Sequence, residues 1–176
     1  GVGGRMSTRD SAFGTFDHGA QYFTVRDERF ALALQTTAGL CRPWSANTVR
    51  VLDSHGRVAA AGLPAREPHW VPSPGMNALV RAWAKPLVDA GCVELQTRVM
   101  AIAPDALNKK QWQLHTTGAD DSSHVYSGFD AVVLAIPHPQ AQALPATTPK
   151  GEALAKKTNK VSVAPCWTLM LAFPQA

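Results

Sequence analysis

The first nine residues, Gly1-Val2-Gly3-Gly4-Arg5-Met6-Ser7-Thr8-Arg9, constrain the fold more than any other stretch. Three glycines fall in the first four positions and two arginines in the next five. Glycine lets backbone N–H groups approach a ligand closely, and the arginine guanidinium binds phosphate oxygens in a forked geometry. The pattern therefore predicts a phosphate-handling loop. Since no strand, helix or earlier phosphate motif precedes it, we expect the chain to begin inside a cofactor site.

Composition is typical of a globular chain and is compatible with an anionic ligand. The 176 residues suffice for one domain or for pieces of two. Apolar residues make up 45%, and the charged fraction of 17% is below the usual value of about 25%. The formal net charge of +4 comes from scattered basic residues, with only Lys109-Lys110 and Lys156-Lys157 adjacent. Because no basic stripe with interleaved aromatics occurs, nucleic acid is not an expected partner, whereas a bound anionic cofactor is compatible with this charge.

The three cysteines, Cys41, Cys92 and Cys166, lie far apart and form no CxxC or Cys/His cluster. We therefore expect no metal site, and reduced thiols in a cytoplasmic protein. No signal peptide and no apolar run of about 18 residues is present, so no membrane partner is expected.

Apolar spacing and turn residues predict mixed secondary structure. Residues 1–25 are predicted to form a loop with a short extended piece. Helices are predicted at Asp27–Ala38, 76–90, 138–145 and Glu152–Lys157. Strands are predicted at 48–53 and 57–61 (a hairpin), His69–Val71, Val93–Gln96, Arg98–Ala103, Gln111–Thr116, near Val125, Ala131–Ile136 and Trp167–Phe173. The Pro64–Pro68 segment is predicted as a loop. The apolar run Ala131–Ile136 is typical of a strand buried on both faces of a parallel sheet.

Six segments of the sequence carry distinct motifs. The first is the Gly-Gly-Arg segment Gly3-Gly4-Arg5-Met6-Ser7-Thr8. The five later ones are the D-x-G-A-Q-Y-F-T block at 17–24, the W-V-x-x-P-G-M-x-x-L block at 70–79, Thr97-Arg98-Val99, 130–137 and 165–173. In this order they resemble the flavin-containing amine oxidase superfamily, most closely its bacterial renalase-like branch, and the first is similar to the family's GGR loop. The aromatic block at 17–24 is fairly specific, whereas GGR alone is weak.

The resemblance implies an α/β fold: an incomplete Rossmann-like FAD/NAD(P)-binding domain interleaved with a mixed-sheet substrate domain. The implied FAD-binding parts are residues 1–25 and 73–145, and the implied substrate-binding parts are 26–72 and 146–176. The family's GxGxxG and its C-terminal flavin-binding Gly-Asp do not occur in the 176 residues. We therefore expect a segment of a larger flavoprotein, without the helix N-terminus that carries most of the pyrophosphate affinity.

The resemblance also implies site residues. Those implied to contact FAD are Gly3, Gly4, Arg5, Met6, Gly19, Ala20, Gln21, Tyr22, Pro74, Gly75, Met76, Val99, Ala135 and Pro137. Three tryptophans, Trp44, Trp70 and Trp167, are candidates for lining an aromatic substrate pocket.

Structural explanations stay open beside these assignments. The 19–21 segment also suits an ordinary turn, the aromatic residues suit a core, and 74–76 suits a helix cap with a hydrophobic staple. His18 is considered as a base, although a lone histidine is more often structural. No catalytic residue is assigned, and the other five histidines show no pairing with an acid or nucleophile.

The function implied by the resemblance is FAD-dependent oxidation of a small molecule, such as a dihydronicotinamide isomer, with dioxygen as acceptor. A conventional amine oxidase or a desaturase-like enzyme is an alternative. A non-catalytic fragment that binds no FAD alone and self-associates through exposed sheet edges is another.

Overall fold

The computed structural model describes residues 1–45, 50–60, 67–144 and 149–173. The chain divides into two units. The first comprises Gly1–Val93 and Trp167–Ala176, and the second Glu94–Cys166. Both contain helices and strands, so the chain is of mixed α/β composition. The interleaved domain boundaries expected from the resemblance stay a prediction.

Strands of the first unit form three small antiparallel pairs. Their bounds are β1 Thr8–Ser11, β2 Gly14–Asp17, β3 Cys41–Pro43, β4 Val51–Leu52, β5 Val58–Ala60 and β6 Trp70–Pro72. β1 pairs with β2, β3 with β6, and β4 with β5. The β1–β2 hairpin corrects the predicted loop over residues 1–25. Gly14, whose φ is 118°, and the Ser11 hydroxyl, which donates to the Gly14 carbonyl, make the tight turn.

Two α-helices lie in the same unit. α1 spans Glu28–Gln35, and its N-cap is Asp27, whose carboxylate accepts the backbone N–H groups of Arg29 and Phe30. α2 spans Asn77–Asp89. Leu79 in this helix and Met76, its N-cap residue, are completely buried. Both helices agree with the predicted positions, because each carries an apolar stripe and α1 also begins with an N-cap signal.

Aromatic side chains pack α1 against α2. The Phe30 ring lies edge-on to Phe23 at 5.5 Å and to Trp83 at 6.0 Å between centroids. The indole N–H of Trp83 donates to the Ala33 carbonyl at 3.2 Å. These contacts fix the helix pair, because each ring both buries area and makes a directed interaction.

The second unit is built on an antiparallel meander. Its elements are β7 Arg98–Pro104, β8 Trp112–Thr117, β9 Ser123–Phe129, α3 His138–Ala143 and α4 Pro149–Thr158. The strand order is β7-β8-β9. Asp105, only 4% exposed, closes the β7–β8 turn: Oδ1 accepts the N–H groups of Leu107 and Asn108, and Oδ2 accepts that of Gly128.

Most of the remaining strand and helix predictions, in both units, are confirmed within a few residues. The 57–61 strand, the strands near His69, Arg98, Gln111 and Val125, and the last two helices are present where predicted. Residues 48–49, 61, 64–66 and 145 of the predictions lie outside the described residues.

Three predicted strands are wrong. At Val93–Gln96 the extended path is broken because Gln96 has a left-handed φ of 57°. Ala131–Ile136 and Trp167–Phe173 have no strand pairing in the described residues, and Val133 is 87% exposed. Apolar composition favours a strand but does not supply the neighbouring ladder that creates one. All strand pairs in the described part of the chain are antiparallel, so the parallel Rossmann arrangement stays a prediction.

Candidate functional site

The Gly-Gly-Arg-Met segment forms a tight turn against α2. Gly4–Met6 is a short 3₁₀ helix, entered through Gly3 at φ 106° and Gly4 at φ 50°. A Cβ built on Gly3 would lie 2.6 Å from Cγ2 of Val80. Gly3 is therefore required both by its backbone conformation and by the helix beneath it.

The loop after β2 docks onto this turn. The Ala20 N–H donates to the Arg5 carbonyl at 2.7 Å. A Cβ on Gly19 would overlap the same carbonyl oxygen, so only glycine allows this approach. Two segments of the sequence resemblance, 3–8 and 17–24, are thus brought into direct contact.

The third segment joins them through hydrogen bonds at the start of α2. The Thr8 hydroxyl donates to Oδ1 of Asp17 at 2.6 Å and accepts the Asn77 N–H at 3.1 Å. The same Asp17 oxygen accepts the Met76 N–H at 2.9 Å. Since the local N-cap makes no side-chain bond, the hairpin caps the helix from a distance.

Gly75 lies buried beneath that cap. A Cβ there would lie 2.8 Å from the Thr8 hydroxyl oxygen and 3.3 Å from Oδ1 of Asp17. Gly3, Gly19 and Gly75 therefore share one role: each removes a Cβ at a contact between two parts of the site.

One side of the turn is open. A Cβ on Gly4 would meet no heavy atom within 4 Å. The exposed Arg5 side chain takes part in none of the three ion pairs formed by the described residues. The open Gly4 backbone and the guanidinium beside it can together bind an anionic group.

His18 borders the turn with one unsatisfied nitrogen. Its Nε2 lies 3.4 Å from Oγ of Ser7. Its Nδ1 is buried and has no hydrogen-bond partner among the described residues. A buried polar atom of this kind normally bonds to a ligand or an ordered water.

An aromatic cluster consists of Tyr22, Trp44 and His69. Tyr22 belongs to the 17–24 loop and connects the cluster to it. Tyr22 stacks on His69 with centroids 4.0 Å apart and on Trp44 at 5.6 Å. The backbone N–H of Trp44 donates to the backbone carbonyl of His69 at 2.7 Å. Trp44 keeps part of its ring exposed, so the cluster offers an open aromatic face.

The other expected site residues are placed separately. Trp70 bonds through its backbone to Phe23, with no ring contact to the aromatic cluster in the described residues. Trp167 belongs to the first unit but is 96% exposed. Gln21 lies in the 17–24 loop, Pro74 precedes Gly75, and both are exposed. The last three expected residues lie in the second unit: Val99 on β7, Ala135 in the exposed apolar run, and Pro137 before α3.

No group of three or more His, Cys, Asp or Glu side chains suited to a metal occurs within the described ranges. Burial raises the pKa of the Cys41 thiol, which makes it a poor nucleophile near neutral pH. No helix in the described part of the chain is long and apolar enough to cross a membrane.

Comparison with family models decides the class. The model for flavin-containing amine oxidoreductases matches residues 63–176. This chain belongs to that family. Because proteins of this family contain a flavin, the family implies FAD as the cofactor. The family also implies a flavin-dependent oxidoreductase. The match includes the segment at 70–79 but not the turn or the 17–24 loop, which are linked to the family by sequence resemblance.

The residues of the first unit fit part of an FAD molecule. The uncovered backbone of Gly4 permits close approach of the cofactor. Arg5 offers a cation that has no acidic partner among the described residues. The adjacent loop residues Gly19 and Ala20 are small, and the buried Nδ1 of His18 is unsatisfied.

Sequence reasoning missed Thr8, Asp17, His69 and Val80. Thr8 and Asp17 cap α2, Val80 supports Gly3, and His69 stacks in the aromatic cluster. Two signals were present: Thr8 ends the Gly3–Thr8 segment, and Asp17 begins the D-x-G-A-Q-Y-F-T block. The roles of His69 and Val80 depend on contacts between distant segments, for which a single sequence gives no signal.

Proposed function

We propose that this chain is the part of an FAD-dependent oxidoreductase that holds the cofactor's phosphate or ribose and one wall of the substrate pocket. The observation that carries the proposal is the contact between the turn at 3–6 and the loop at 18–22. At this contact, the Arg5 cation, which forms no ion pair with the described residues, lies with an open glycine backbone and small residues at the start of a loop that leads to the aromatic cluster.

The cofactor contacts of the proposal centre on Arg5. FAD, when bound, accepts a hydride from the substrate and passes the electrons to an acceptor, for which we propose dioxygen. Arg5 binds a phosphate or ribose oxygen, and the Gly4 backbone permits close approach. Gly19 and Ala20 leave room for a flat ring, and Gln21 and Tyr22 continue the same loop.

The substrate in this proposal is a small molecule that is already a good hydride donor, such as a dihydronicotinamide isomer. Such a substrate needs no catalytic acid or base, and the aromatic cluster offers it a flat surface for stacking. The exposed ring of Trp44 stacks with a flat substrate, while Tyr22 and His69 hold that ring in place. The chain would then be of the renalase-like type.

The finer structural expectations belong to the same proposal. They are a Rossmann-like FAD domain and cofactor contacts from Pro74, Gly75, Met76, Val99, Ala135 and Pro137. Trp70 and Trp167 remain candidates for the pocket. The cytoplasmic location rests on the scattered cysteines, which show no disulfide or metal spacing.

The test is reconstitution followed by turnover. The chain is incubated with FAD, freed of excess cofactor, and assayed for visible flavin absorbance. Hydrogen peroxide release is then measured with dihydronicotinamide isomers and, separately, with a panel of primary and secondary amines. Peroxide from the dihydronicotinamide isomers supports the proposal.

The competing outcomes identify the alternatives. Turnover of amines alone indicates a conventional amine oxidase. A colourless protein with no flavin absorbance indicates a non-catalytic piece. That second candidate is favoured by one observation, the exposure of the apolar run at 131–136, which suits a chain lacking its structural neighbours.

A further inference from the structure

The second unit has one edge strand that carries neither charge nor proline along its free edge. β9 reads Ser123-His124-Val125-Tyr126-Ser127-Gly128-Phe129 and contains no proline, lysine, arginine or carboxylate. It ends the order β7-β8-β9, so one of its edges has no strand beside it in the described residues. Proteins normally guard such edges with charge, proline or a very short strand.

The other open edges are guarded. Among the described strands of four or more residues, β1, β2 and β7 also lie at the end of a sheet. Each carries a charge or a proline: Arg9 and Asp10 in β1, Asp17 in β2, and Arg98 and Pro104 in β7. Among these described strands only β9 has neither a charge nor a proline, and the register shift in its pairing lies opposite Trp112–Leu114, beyond the regularly paired residues 123–126.

Apolar side chains accompany this edge. Val125 is 55% exposed, and Phe129 and all of the following run at 131–136 except the half-buried Val132 are also exposed. Between residues 123 and 136 the only charged side chain is Asp130, which accepts a hydrogen bond from the Gln111 amide. An exposed apolar strip beside unpaired backbone groups is typical of an interaction surface.

We propose that β9 pairs antiparallel with β9 of a second copy of this chain, joining two meanders into one six-stranded sheet. The unpaired N–H and C=O groups of an edge require another extended strand, and the same edge on a second copy supplies it. Two-fold pairing is self-complementary and places no like charges opposite one another, because β9 carries none. The proposal is independent of the flavin chemistry.

The test is sedimentation velocity over a concentration series, with hydrogen exchange measured in parallel. The wild-type chain, of 18.8 kDa, is expected to sediment as a dimer as concentration rises. Backbone amides of residues 123–127 are expected to gain protection over the same range. V125K puts two lysines near the two-fold axis and is expected to weaken association by about tenfold or more.

The matched control is M100K. Met100 is also exposed on an edge strand, but on β7, so this variant is expected to dimerise like the wild type. S123K is a second disrupting variant if V125K loses its far-ultraviolet circular dichroism. A monomer at every concentration, dimerisation of a folded V125K or S123K at the wild-type midpoint, or protection elsewhere than 123–127 would overturn the proposal. Binding only to a different protein would overturn it as well.

Discussion

The Met76 backbone N–H donates to Oδ1 of Asp17 at 2.9 Å, so the hairpin β1–β2 caps helix α2 across 59 positions of sequence. The same oxygen accepts the Thr8 hydroxyl, and Thr8 accepts the Asn77 N–H. This network holds together the three segments that most resemble the flavoprotein family. It indicates that these three segments serve assembly of the site as well as contact with a ligand.

Asp17→Ala removes the cap and leaves the Met76 N–H unsatisfied. We expect the free energy of unfolding to fall by about 1–2 kcal/mol, the usual cost of losing an N-cap. Asp17→Asn keeps an oxygen for the Met76 N–H and should lose much less. Urea unfolding followed by circular dichroism measures both. Equal losses in the two variants would mean that charge, rather than hydrogen bonding, links hairpin and helix.

Gly19→Ala places a methyl group on the Arg5 carbonyl oxygen. The turn at 3–6 must then move, so we expect a lower thermal midpoint and a changed exposure of Arg5. Gly1→Ala is the matched control, because a Cβ there meets no heavy atom within 4 Å. Differential scanning fluorimetry measures the midpoints. An unchanged midpoint for Gly19→Ala would contradict the close approach.

Asp105 makes the stability of the second unit pH-dependent. Backbone N–H groups of Asn108, Leu107 and Gly128 hold the pKa of this carboxyl below its ordinary value. A lowered carboxyl pKa in the folded state adds stability that is fully present above the unfolded value of about 3.9 and is lost as pH falls through the folded pKa.

Asp105→Asn should therefore lower the free energy of unfolding near neutral pH. It should also make that free energy fall less steeply as the pH is lowered. Urea unfolding from pH 7 to pH 3 measures the difference between variant and wild type. That difference is expected to shrink as the wild-type carboxyl becomes protonated. A constant difference across the range would show that the carboxylate charge contributes nothing.

Trp44→Ala removes the exposed ring of the aromatic cluster. If the substrate stacks there, KM should rise by about three- to tenfold while flavin absorbance stays unchanged. Trp44→Phe keeps a flat ring and should restore most of the affinity. Steady-state assays with the substrate identified by peroxide release measure this. An unchanged KM in Trp44→Ala would place the substrate elsewhere.

The sequence predicted local structure well where one segment contained the whole signal. Asp27 and the apolar residues after it predict α1, and the stripe from Met76 to Val88 predicts α2, because caps and helical spacing are short-range. The aromatic block and the GGR motif lie in direct contact in the structure, and their role in binding the cofactor stays a prediction.

Features that depend on partners were not predictable. The run Ala131–Ile136 has a strand's composition, yet a strand forms only with a neighbouring ladder, and none is present in the described residues. The β1–β2 hairpin was missed because its polar residues lack clear alternation. The stacking of His69 on Tyr22 joins positions 47 residues apart in sequence, which no local pattern encodes.

The most direct test of the central claim is titration of the chain with FAD, followed by flavin fluorescence, in the wild type, Arg5→Ala and Arg9→Ala. Both arginines are exposed, but only Arg5 borders the open glycine turn. We predict saturable binding that Arg5→Ala weakens by about 10- to 100-fold, the value of a hydrogen bond to a charged group, and that Arg9→Ala leaves nearly unchanged. Equal affinities for all three proteins, or the absence of saturable binding, would contradict the account.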